Sequence, residues 1–118
     1  MSNSAKSIFV WGVYLIGLGG LLLLAPNSLL PFFGFPQTNE IWIHILGVVV
    51  TALGYYHIQA ARREFVPFFL WSTQGRVFTV LCFTAFIVLG LAKPALFLFA
   101  SADFFGAFWT GLALRSMK

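Results

Sequence analysis

The chain has 118 residues, of which 60% are hydrophobic, 19% aromatic and only 8% charged, with a formal net charge of +4. A soluble domain carries about 25% charged residues, so a water-exposed globular surface is excluded and lipid is the expected solvent. The basic residues stand singly at the ends of apolar stretches, with no run longer than Arg62-Arg63. That pattern sets membrane orientation and is not a nucleic-acid patch.

The first apolar stretch, 8–25, is long enough to cross the hydrocarbon layer as a helix. It is also too long for the apolar region of a signal peptide, and Ala25-Pro26 is a poor cleavage site, so the helix is expected to stay. Residues 26–40 follow, PNSLLPFFGFPQTNE. Three prolines forbid a continuous helix there, and the leucines and phenylalanines between them suit the membrane interface. A second helix is expected over 41–61, closed by Arg62 and Arg63. The segment 64–74 has another interfacial composition, with Pro67 and Trp71. A third helix is expected over 72–92, and a fourth over 94–114 with Pro94 in its first turn.

The fold expected is therefore all-α, a transmembrane antiparallel four-helix bundle in a single domain. Lys6, Arg62, Arg63, Arg76, Arg115 and Lys118 fall on one side and Lys93 on the other. This six-to-one division places both termini in the cytoplasm.

Projected at helical spacing, small and polar residues form stripes that mark the inward faces. Gly12 and Gly19 align on the first helix. Glu40, His44, Gly47, Thr51, Gly54, Ile58 and Ala61 align on the second, with His57 to one side. Arg76, Thr79, Phe83, Phe86 and Gly90 align on the third, and Ala102, Asp103, Gly106, Thr110 and Ala113 on the fourth.

Chemistry is confined to the few polar groups at lipid depth. Asp103 is the costliest to keep there, about 2.5–3.5 kcal/mol if ionised, and so is the first candidate for a ligand, ion or proton site; an interhelical hydrogen bond is the structural alternative. Arg76 is its candidate partner, against a snorkelling interfacial role. His57, with Tyr55 and Tyr56 beside it, is a candidate for holding a polar ligand head from the cytoplasmic half. Glu40 and His44, four apart, share one face at the outer mouth, but two ligands are too few for zinc, so no metal site is expected. Cys82 is alone in an apolar setting and reads as filler. No nucleophile–histidine–acid triad and no phosphate loop is legible, which leans against an enzyme; no cofactor is expected.

The stretches GYYHIQAARREFVPFF (54–69) and DFFGAFWTGLALR (103–115) resemble small bacterial four-helix membrane proteins of DoxX-like style. The resemblance implies the bacterial inner membrane, and a quinone or a redox complex as the kind of partner. Three functions remain open at this point. The first is binding of a lipid-like or amphipathic molecule, or service as an accessory subunit, alone or as a homo-oligomer. The second is an oligomeric transporter or channel using Asp103. The third is an enzyme acting on a lipophilic substrate through His57, Arg76 and Asp103.

Overall fold

The computed structural model describes residues 1–116. They are mostly helical, with turns and an irregular connection over 35–40 between the helices, and no strand occurs among them. Lys118 lies outside them. The helices are α1 (Asn3–Leu24), α2 (Pro26–Leu29), α3 (Ile41–Arg62), α4 (Val66–Val88) and α5 (Phe97–Arg115), with 3₁₀ turns at Leu30–Phe33 and Pro94–Leu96. The segments Asn3–Leu24, Ile41–Arg62 and Pro94–Arg115 are each long and apolar enough to cross a membrane. Helix α4 matches them in length, but Gln74 and Arg76 dilute its apolar character.

Two boundaries move from the sequence reading. Helix α1 begins at Asn3, not near residue 8, because Ser2 caps it: its hydroxyl accepts from the Ala5 N–H. Helix α4 begins at Val66, not near residue 72. Pro67 lies in its first turn, where a missing N–H costs nothing, and so starts the helix instead of marking an interfacial loop. The same helix stops at Val88, not Ala92. Gly90 adopts φ 77°, and the amides of Gly90 and Leu91 bond back to Ile87 O and Phe86 O. Gly90 is thus the left-handed stop of a Schellman turn and does not belong to a packing stripe.

Helices α1 and α3 pack antiparallel along nearly their whole length through glycines. A Cβ at Gly12 would meet Gly54 O at 2.8 Å, and one at Gly54 would meet Gly12 O at 2.7 Å. One turn-pair away, a Cβ at Gly47 would meet Gly19 O at 2.9 Å, and one at Gly19 would collide with Thr51. The seven-residue spacing repeats on both helices, so two backbones touch at two levels. Helix α4 pairs with α5, and α5 also lies against α1. Helices α3 and α4 meet mainly near their shared turn, where His57 stands edge-on to Phe68. Beyond that turn they splay apart.

At the α3–α4 turn, Glu64 holds a left-handed φ of 53° and its carboxylate accepts from the Ser2 backbone N–H (2.6 Å) and the Ser2 hydroxyl (2.7 Å). These bonds hold the Glu64 carboxyl below its usual range. A depressed folded-state value means the clamp is intact at neutral pH and is lost as pH falls through that value. Protection of the amides in the first turn of α1, relative to their intrinsic exchange rate, is therefore expected to fall as pH drops below the ordinary glutamate range, and Glu64→Gln should remove that pH dependence. Equal protection at neutral and acidic pH in the native chain would rule the clamp out.

Candidate functional site: a lateral cleft between α3 and α4

The splay of α3 from α4 leaves a cleft of about 950 Å³, walled also by α1, α5 and the turns after α2. Its lining is mostly apolar. Phe33 and Phe99, stacked with ring centres 3.8 Å apart, close one end. The polar lining gathers at the other side: His57, Ser72, Arg76 and Asp103, with Tyr14 and Trp11.

Arg76 is only 4% exposed. It lies ten residues into α4, about 15 Å from the start of the helix, and its guanidinium is turned into the protein. The guanidinium lies over the Trp11 ring, 5.0 Å from its centre. Its Nη2 donates to Thr110 Oγ1 at 2.9 Å, and its Nε reaches Ser72 O at 3.4 Å. Thr110 shares a 2.7 Å hydroxyl bond with Ser7, and Ser7 reaches Ser4 O at 2.7 Å. One cation therefore joins α4, α5 and α1. Nη1 is buried and, among the described residues, has no hydrogen-bond partner.

Asp103 is 9% exposed, faces the cleft, and feels the Arg76 charge. Among the described residues it makes no hydrogen bond and no ion pair within 4.0 Å. The two opposite charges share the cleft without touching, which leaves hydrogen-bonding capacity on both.

His57, expected beside the inward stripe, is 7% exposed and points inward. Its Nδ1 lies 2.7 Å from Leu53 O and its Nε2 2.7 Å from Ser72 Oγ. The structure thus brings His57, Arg76 and Asp103 to one cleft. It does not bring Tyr55 and Tyr56, which are 54% and 56% exposed on the outer face of α3. Two adjacent positions on a helix differ by about 100°, so with His57 inward these two cannot both follow it.

Glu40 and His44 do not join into a site. His44 Nδ1 donates to Leu23 O at 2.7 Å, capping a carbonyl at the end of α1, while Glu40 is exposed. Among the described residues no three His, Cys, Asp or Glu side chains gather in a metal-binding group.

Trp11, Ser72 and Ser7 escaped the sequence reading. Ser4, Ser7 and Trp11 stand at helical spacing on one face, a signal hidden by starting the helix at residue 8. Ser72 falls at the expected start of the third helix, and its partner His57 lies 15 residues away across the turn.

No family model, curated protein or solved structure matches the chain.

Proposed function

We propose that the chain is a four-pass protein of a bacterial inner membrane, with both termini cytoplasmic, that holds a lipophilic molecule in the cleft between α3 and α4. It would do so alone or as an accessory subunit of a larger membrane complex. The observation that carries this reading is the cleft itself. Its volume of about 950 Å³ is at the upper end of ligand pockets, about 300–1,000 Å³, and its lining is apolar with a few convergent polar groups. A site that opens sideways between two splayed helices receives its ligand from the lipid phase.

The position of the polar groups narrows the ligand. Asp103 lies 12 residues before the end of α5, about 18 Å along the helix. Phospholipid headgroups stay at the interface, so a ligand head meeting Arg76 and Asp103 is small and travels with the hydrocarbon. Arg76 and Asp103 sum to zero charge, which favours a neutral oxygenated head, such as an ester, a quinone or an alcohol. The DoxX-like style of the two quoted stretches fits the same reading.

The test is lipid analysis of the purified protein. Solvent extraction and mass spectrometry should find one lipophile enriched over the bulk membrane. Leu46, half-exposed and lining the cleft, offers a way to fill it. Leu46→Trp should lower that enrichment about fivefold with helicity unchanged, because it occupies the ligand's volume. A protein carrying only bulk lipid would sink the proposal.

A further inference from the structure

The geometry points to Ser72 and His57 as a nucleophile–base pair opening on the cleft, and so to acyl transfer from a lipophilic ester as its chemistry. This inference rests on the cleft being a lipid site.

A backbone carbonyl can only accept. The 2.7 Å contact between His57 Nδ1 and Leu53 O therefore places the ring proton on Nδ1. In the neutral ring Nε2 is left as the acceptor, and it stands 2.7 Å from Ser72 Oγ. This is the tautomer a general base needs, oriented by a third group, here a carbonyl one helical turn back. The ring is held further by Phe68, edge-on with centres 4.9 Å apart. On its other side the glycine contact between α1 and α3 leaves His57 Cβ only 3.1 Å from where a Cβ at Gly12 would stand.

A hydrogen bond between helices needs nothing more, but two further features lie beside this one. Both side chains line the cleft, so an ester carbonyl entering from the lipid can reach Ser72 Oγ. Arg76 is one turn along the same face of α4 and brings its positive charge to the same cleft, while its unpartnered Nη1 is enclosed beside Gly106 and Trp11. A fixed positive charge beside a serine nucleophile favours the developing oxyanion electrostatically.

The transfer runs as follows. Ser72 Oγ bonds to the ester carbonyl carbon while its proton passes to His57 Nε2. The tetrahedral oxyanion collapses, the bond to the alcohol oxygen breaks, and the alcohol leaves with the proton from His57. Water or a second hydroxyl-bearing lipid then attacks acyl-Ser72, giving its proton to Nε2, and Ser72 recovers a proton as it leaves. Asp103 takes no part in this path.

The experiment uses the full chain in nanodiscs with a hexadecyl fluorophosphonate probe, read by intact mass and peptide mapping, with bound lipid measured in parallel. One adduct on the Ser72 peptide is expected, absent in Ser72→Ala. His57→Gln keeps a hydrogen-bonding group near the Nε2 position but cannot serve as base, and should slow labelling about 100-fold or more. Labelling of another residue, or an unchanged rate in His57→Gln, overturns the pair. If the wild-type chain retains a lipophile but is not labelled, the pair falls and the lipid cleft stands. If neither lipid nor label is found, both fall. The wild-type result decides even if a variant does not fold.

Discussion

Gly54→Leu is expected to break the α1–α3 pair and cost about 3 kcal/mol or more, the upper range for forcing extra carbon into a packed interface. Even one carbon at this position would stand 2.7 Å from Gly12 O and 2.9 Å from Ile16 N. These are backbone atoms, which cannot rotate away, so a whole helix must move. Moving it also opens the second contact, where Gly47 meets the backbones of Gly19 and Leu23. In lipid this loss is not recovered by hydrophobic burial, because the tails outside are as apolar as the side chains inside; close backbone packing is what holds the helices. The measurement is unfolding in mixed micelles with rising sodium dodecyl sulfate, followed by circular dichroism. Gly17 and Gly111 provide the control, since a Cβ at either meets nothing within 4 Å. Alanine there should be neutral or stabilising by up to about 1 kcal/mol. If Gly54→Leu and Gly17→Ala unfold alike, the glycine contact is not what joins the two helices.

The second large effect is expected at Arg76. Arg76→Leu removes the bond to Thr110 and the position over Trp11, and leaves Asp103 as the unbalanced charge of the cleft. A hydrogen bond from a charged donor contributes about 1.5–3 kcal/mol and a desolvated cation–π contact about 1–2 kcal/mol, so a loss of about 3 kcal/mol is expected in the same assay. Arg76→Lys should recover only part of it. A compact ammonium cannot lie flat over the indole and reach Thr110 in the same way. The double variant Arg76→Leu/Asp103→Leu should be more stable than Arg76→Leu with Asp103 intact, because the lone carboxylate goes with its countercharge. Additive losses in the cycle completed by Asp103→Leu alone would show that the two charges act independently, contrary to their shared position in the cleft.

Much of the helical layout was legible from composition and periodicity. The stretch from Ile41 to Arg62 was bounded correctly because its limits are covalent and local: apolar residues between an acidic start and two arginines. The glycines at 12, 19, 47 and 54 were legible as inward-facing, because in lipid small residues are the only ones that let two helices touch. The inward face of α5, with Asp103 and Thr110, followed from the same spacing.

The sequence reading failed where a residue's meaning depends on a distant partner. Pro67 and Gly90 set the limits of α4, which neither hydropathy nor the lone Arg76 revealed. A buried arginine is tolerable only because Thr110, Trp11 and the carbonyl of Ser72 receive it, and those lie on three different helices. Ser72 stood at the uncertain start of a helix, and only the turn at Arg62–Val66 brings it back onto His57.

By itself, then, the sequence determined that this chain is helical and apolar, where its glycine ridge lies and which few ionisable groups fall within its apolar stretches. Those properties follow from side-chain solvation and helical period, which each residue carries locally. Only the tertiary structure decided which deep groups face one another. The tight backbone contact of α1 with α3, and the absence of one between α3 and α4 beyond their turn, open a cleft at Arg76 and Asp103. Neither contact can be read from one helix alone, since a cleft is a property of the gap between helices.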